Sequence, residues 1–302
     1  MDIAVMLLGA ALIALVARDL FHTLWHPTRH GGMSRLTMAA LWRISRSLPR
    51  RGRERGPGGL VGPLGMVTVI FLWGVLGALG WALLYWPNLP EFFIFDSSLD
   101  PTEHSGFLDA AYMSLVALTT LGLGDVAPSD GWLRLAVPVE AMFGFVLLTA
   151  VVSWVLGVYP TLGHRRQLAG RLHLLRTNDR LARDGALTSS LLDDLTASVV
   201  QTRGDFTQYP EGYWFHDADE HLSLSATVHH AHRLALRWRE SDEADVRLSA
   251  AMLGDALDDL AGVLDRNFLR TGGDTAEVFA AYAADHRHPI PDTPAPDAEP
   301  RR

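Results

Sequence analysis

The chain has 302 residues, 48% of them hydrophobic, and a formal net charge of −8; its mean hydropathy is +0.12. It contains no cysteine, which excludes a disulfide framework and a thiolate metal centre. Its basic residues are all arginine and stand apart from its acids, so the net charge by itself selects no partner.

In chain order, the first element is an apolar run from Ile3 to Ala17 that Arg18-Asp19 interrupts before Leu20, Phe21, Leu24 and Trp25 resume it. A helix needs about 20 residues to cross a bilayer. This run therefore crosses only by taking in the charged pair, with Arg18 reaching for the head groups. No basic residue precedes it, as a secretory signal requires, and residues 1–26 read as a retained transmembrane helix. Residues 27–59 are a basic linker in which eight arginines, from Arg29 to Arg55, face the single acid Glu54. Within it Leu36, Leu41, Trp42, Ile44 and Leu48 alternate with arginines at helical spacing, which predicts either an interfacial amphipathic helix or a solvated linker helix. Gly52 to Gly59 reads as a hinge.

Leu60 to Pro90 is apolar and uncharged, and its Trp81, Tyr85 and Trp86 suit an interfacial aromatic belt. Gly74, Gly77 and Gly80 recur at every third position, either as a close-packing face or because glycine is common in membrane helices. A third apolar segment, Leu135 to Gly163, holds one charge, Glu140, and Arg165, Arg166 and Arg171 follow it. By the positive-inside bias both basic segments are cytoplasmic. The loop with Glu91, Asp96, Asp100 and Glu103 is then external, the N-terminus outside and the C-terminus inside.

Between that loop and the third span, Ser105 is placed to cap a helix from about Gly106 to Thr119, with Asp109 in its first turn. The helix is too short to span and leads into Leu118 to Asp125, Leu-Thr-Thr-Leu-Gly-Leu-Gly-Asp. Glycine at alternate positions lets a backbone adopt mirror-image dihedrals at no steric cost. Irregular backbone at membrane depth is tolerated only where protein buries it or water lines it.

The pattern Thr-x-Gly-x-Gly-Asp, after a short helix and between two spans, resembles the selectivity filter of potassium channels of the two-transmembrane pore-loop type. The resemblance covers about Leu60 to Pro160. It implies an all-α membrane protein, a pore-loop tetrameric channel carrying an extra N-terminal transmembrane helix and a helical cytoplasmic domain. It implies K⁺ ions held by Thr120, Leu121, Gly122, Leu123 and Gly124, with Asp125 at the pore mouth. Thr119, Tyr112 and Glu140 fall to filter support, and Gly144 to a hinge of the inner helix. An intramembrane carboxylate such as Glu140 is a functional candidate by default, and the reading preferred for it is a hydrogen-bonded brace. One departure stands out: the residue between the two glycines, usually tyrosine in that family, is Leu123. It leaves strict preference for K⁺ over Na⁺ open.

From His164 the sequence turns polar and helical. Leu187, Leu191, Leu195 and Val199 make one apolar stripe, and Leu253, Leu257, Leu260, Leu264 and Phe268 another, as in the core of a bundle. Gly204 to Glu220 is rich in aromatic and turn residues and reads as a structured loop. His229 and His232 share a helix face at i,i+3, open to a metal or pH switch or to plain exposure. Asp193-Asp194 and Asp258-Asp259 lack the spacing of a calcium loop and read as solvated faces. No Gly-x-Gly-x-x-Gly follows a strand, so a nucleotide-binding regulator and any organic cofactor are not expected.

The domains expected are thus residues 1–26, the linker 27–59, a pore domain 60–163, a cytoplasmic helical domain 164–287 and a disordered tail 288–302. The function expected is passive, potassium-preferring conduction through a homotetramer in a bacterial plasma membrane, a setting that the all-arginine usage fits. The alternatives are a poorly selective cation channel and a non-conducting membrane sensor or scaffold. No nucleophile–base pair or phosphate-cradling loop favours an enzyme, no feature favours nucleic acid, and the sequence names no cytoplasmic regulator.

Overall fold

The computed structural model describes residues 2–25, 32–47, 60–178, 188–217 and 219–289. It is helical almost throughout, and three of its helices are long and apolar enough to cross a membrane. Two compact units divide the chain, residues 1–44 with 63–157, and residues 45–62 with 158–302.

The first unit begins with α1 (Asp2–Trp25), which continues straight through the charged pair. Arg18 is exposed and Asp19 buried. The Asp19 carboxylate is fully engaged: Oδ1 accepts from the Met33 amide at 3.0 Å, and Oδ2 from the Ser34 amide at 3.2 Å and the Trp73 indole at 2.8 Å. The first amides of a helix have no partner within it, so Asp19 acts as a cap supplied from another helix. The helix it caps is α2 (Gly32–Ser47). There Ser34, Met38 and Trp42 face inward, while Leu36 and Ile44 face outward. The apolar residues expected on one amphipathic face therefore split between two. Leu48, Arg29, Arg50 to Arg55 and the hinge Gly52 to Gly59 lie outside the described residues.

Helix α3 (Val61–Tyr85) packs against α1 where two backbones meet. A β-carbon on Gly80 would come within 3.0 Å of the Gly9 carbonyl oxygen, and one on Gly9 within 2.5 Å of that of Gly80. Gly77 instead faces Phe143, and nothing crowds Gly74, so the three glycines do not form one packing face. The aromatic belt is corrected as well. Trp86 is exposed, but Trp81 and Tyr85 are buried, in a cluster with Phe93, Met113 and Leu133.

Two short strands, β1 (Phe93–Phe95) and β2 (Val126–Pro128), pair antiparallel with Ile94 opposite Ala127. Between them stands α4 (Phe107–Leu118). Its N-cap is Gly106, not Ser105, and Asp109 Oδ2 reaches back to accept from the Gly106 amide at 3.0 Å. Helix α5 (Gly131–Thr177) is continuous through Gly144, and its Trp154 ring lies 5.4 Å from that of Trp73.

In the second unit the end of α5 is joined by α6 (Ser189–Gln208), α7 (Leu224–Trp238), α8 (Ala244–Leu264) and α9 (Thr275–Asp285). Leu253, Leu257, Leu260 and Leu264 are wholly buried, as their spacing predicts, while Phe268 is part-exposed and stacks on Tyr213 at 4.0 Å. On α6 the inward stripe is Leu192, Leu195, Val199, Thr202 and Phe206. Leu192 replaces the expected Leu191, because Leu191 sits one helical step to the side; Leu187 is outside the described residues. The expected loop from Gly204 is helical as far as Gln208, then becomes a buried 3-10 turn, Pro210–Trp214. Arg165 is buried beside that turn and donates to the Phe215 carbonyl at 2.9 Å and to Asp217 at 2.7 Å. Arg166 holds the other oxygen of Asp217. Asp193, Asp194, Asp258 and Asp259 are exposed. The tail beyond Pro289 is outside the described residues.

Candidate functional site

The segment from Leu118 to Asp125 folds back on the end of α4. The amides of Thr119, Thr120 and Leu121 donate to the carbonyls of Leu115, Ala117 and Val116 at 3.0, 2.9 and 3.0 Å. Beyond the helix the backbone changes hand at every second residue: φ is +57° at Thr120, +56° at Gly122 and +80° at Gly124. Glycine meets that demand without strain, whereas Thr120 pays a steric cost for it. Nothing among the described residues covers this segment, and Leu121 and Leu123 are 62% and 58% exposed.

Three braces hold the segment. At its far end Asp125 leads into β2, its carbonyl accepting from the Asp96 amide at 2.8 Å and its carboxylate from the Tyr112 hydroxyl at 2.5 Å. Behind α4, the wholly buried Glu140 of α5 accepts from the Tyr85 hydroxyl of α3 at 2.6 Å. The Ser114 hydroxyl of α4 lies 2.5 Å from the other Glu140 oxygen and 2.9 Å from the Ala78 carbonyl. One carboxylate thus ties three helices. The third brace is steric. A β-carbon on Gly144 would stand 1.9 Å from the Leu118 carbonyl oxygen, so glycine is needed here for close approach to the end of α4.

The acids near Asp125 are kept ionised by their own turns. The Ser98 amide and hydroxyl hold the Asp96 carboxyl below its usual range, and those of Thr102 do the same for Asp100. A cluster of such charges at one end of a segment raises the local cation concentration.

With this geometry in view, the similarities are informative. The family model described as "Ion channel" matches residues 68–159, a segment that holds α4, the 118–125 turn, Glu140 and Gly144. Residues 68–159 are thus similar to an ion-channel family. The membrane protein YdjJ of Bacillus subtilis, described as uncharacterized, is 29% identical over 150 residues, 50% of this chain and 42% of that one. The chain thus spans less than half the length of the curated relative it matches. No solved structure matches significantly.

The structure brings Tyr112, Thr119 to Asp125, Glu140 and Gly144 to one place. It also adds Tyr85 and Ser114, which sequence reasoning missed; a serine inside a short apolar helix was the available signal. The histidine pair is in the other unit and is not brought together on one ligand. Burial pushes the His229 imidazole down to about 4, with Arg233, His230 and Arg176 adding to the effect. Neither of its ring nitrogens has a hydrogen-bond partner among the described residues. Burial also lowers His232, which packs edge-on to Phe279 and lines a cavity of about 600 Å³ with Asp258, Asp265 and Asp274. Among the described residues no three His, Asp or Glu side chains converge to hold a metal ion.

Proposed function

We propose that the chain is a passive, potassium-preferring ion channel of a bacterial plasma membrane, working as a homotetramer. The observation that carries this reading is the left-handed backbone at Thr120, Gly122 and Gly124, in a family-matched segment that no described residue covers. Alternating hand is the condition for turning successive carbonyls to one side, where a ring of them replaces the hydration shell of an ion. A single chain cannot close such a ring, and closed symmetry around the segment supplies the rest. The negative end of the α4 dipole then points at the cavity where a cation waits. Thr119, Tyr112 and Glu140 act as positioning residues, and Asp125 draws cations to the mouth. The N-terminus is outside and the helical unit cytoplasmic.

A second reading, a poorly selective cation channel, has its own support. Leu123 offers no hydroxyl, and the nearby Tyr112 hydroxyl is already committed to Asp125. The reversal potential of the purified protein in a planar bilayer, with K⁺ on one side and Na⁺ on the other, decides between them. A value near the K⁺ limit is expected; a value near zero with sustained current overturns K⁺ preference in favour of the second reading.

A further inference from the structure

Helix α2 carries two faces of different chemistry. Ser34, Met38 and Trp42 face inward, with the Met38 sulfur seated against Gly65 of α3. On the opposite side Leu36, Ala40 and Ile44 recur at every fourth position and face outward, Leu36 being 72% exposed, and the exposed Arg43 stands beside Ile44. A stripe of this kind in a soluble helix would be a liability, yet here its position is fixed by the membrane spans. Asp19, a residue of the first span, caps the α2 amides of Met33 and Ser34, and Thr23 lies 3.1 Å from Ser34. The start of α2 is therefore pinned beside a span near its end, and α2 cannot move away from that span without stripping a buried carboxylate of its donors.

We propose that the Leu36–Ala40–Ile44 face of α2 is a docking surface for anionic lipid. The apolar stripe enters the acyl region, and Arg43 binds the phosphate of a negatively charged headgroup. A basic side chain is attracted by the negative surface potential of an anionic leaflet, and apolar burial at the interface adds to it. The inference rests on the membrane spans and not on conduction, so it stands or falls apart from the channel reading.

The cysteine-free chain makes the test direct. Ala40→Cys, labelled with an NBD fluorophore, is reconstituted as the full chain in vesicles of phosphatidylcholine with or without about one-third phosphatidylglycerol and a lipid-borne spin-label quencher. Met252→Cys, on an exposed face of α8, serves as the reference site. Quenching at position 40 is expected to exceed that at 252 by roughly twofold or more and to rise with phosphatidylglycerol. Arg43→Glu, at an exposed position, should remove the rise, and Arg43→Gln most of it. Quenching at 40 no greater than at 252 overturns the docking surface. Quenching that ignores phosphatidylglycerol and both Arg43 variants overturns its anionic partner.

Discussion

The two units of this chain handle apolar surface in opposite ways. In the helical unit Leu253, Leu257, Leu260 and Leu264 are sealed by neighbouring helices of the same chain, and even the turn at Pro210–Trp214 is buried. In the membrane unit Leu121, Leu123, Leu135, Val139 and Phe145 remain at the surface, and so does the strained backbone from Thr120 to Gly124. Lipid can cover exposed side chains but cannot satisfy irregular backbone. The helical unit thus seals its own apolar stripe, whereas in the proposed tetramer the 118–125 segment is covered by copies of itself.

The sharpest way to break this contrast is Gly122→Ala. A β-carbon at φ +56° costs roughly 1–2 kcal/mol per chain and turns the carbonyls away from one another. Ion flux into vesicles should vanish while the melting of the helical unit is unchanged; normal flux would sink the filter assignment. Glu140→Ala comes next. It strands the buried Tyr85 hydroxyl, while Ser114 keeps the Ala78 carbonyl, at about 1–3 kcal/mol for the group left without a partner. The melting temperature of the membrane unit in detergent should fall by several degrees, and no change would mean that the triad is not a brace.

Titration should act on the other unit. His229 is held neutral by burial and by the positive charges of Arg233 and Arg176, with its pKa lowered to about 4. The unfolded chain binds the proton more readily, so the stability that neutral His229 contributes is fully present above about pH 6.5 and is lost as pH falls toward 4. The melting temperature of the helical unit should decline across that window, and His229→Phe should flatten the decline; an equal slope in the variant would clear His229. The smallest effect is expected from Leu123→Tyr, which leaves the fold alone and should raise the K⁺ over Na⁺ permeability ratio. A ratio that stays level or drops would show that this position does not set selectivity.

Much of the molecule was legible because its signals are local. The three apolar runs, the glycine spacing of residues 122 and 124 and the stripe from Leu253 to Leu264 each lie within one element, where periodicity and dihedral preference act. Reading failed where one side chain had two plausible settings. Trp81 and Tyr85 have the composition of an interfacial belt, but the Glu140 carboxylate, far along the chain, draws Tyr85 inward. Arg165 and Arg166 read only as charges flanking a span, and the structure adds that both are committed to Asp217. Gly144 read as a hinge, and the structure adds a second need for glycine there, the close approach of the Leu118 carbonyl.

The sequence by itself determined where the chain is apolar enough to cross a membrane, which turn can reverse its backbone hand, and which helices carry an inward stripe. These are consequences of residue type at short separation. Only the tertiary structure decided which carboxylate serves which donors: Asp19 for α2 and Trp73, Glu140 for Tyr85 and Ser114, Asp125 for Tyr112. A buried charge must find partners wherever the fold delivers them, and sequence spacing carries no trace of that meeting.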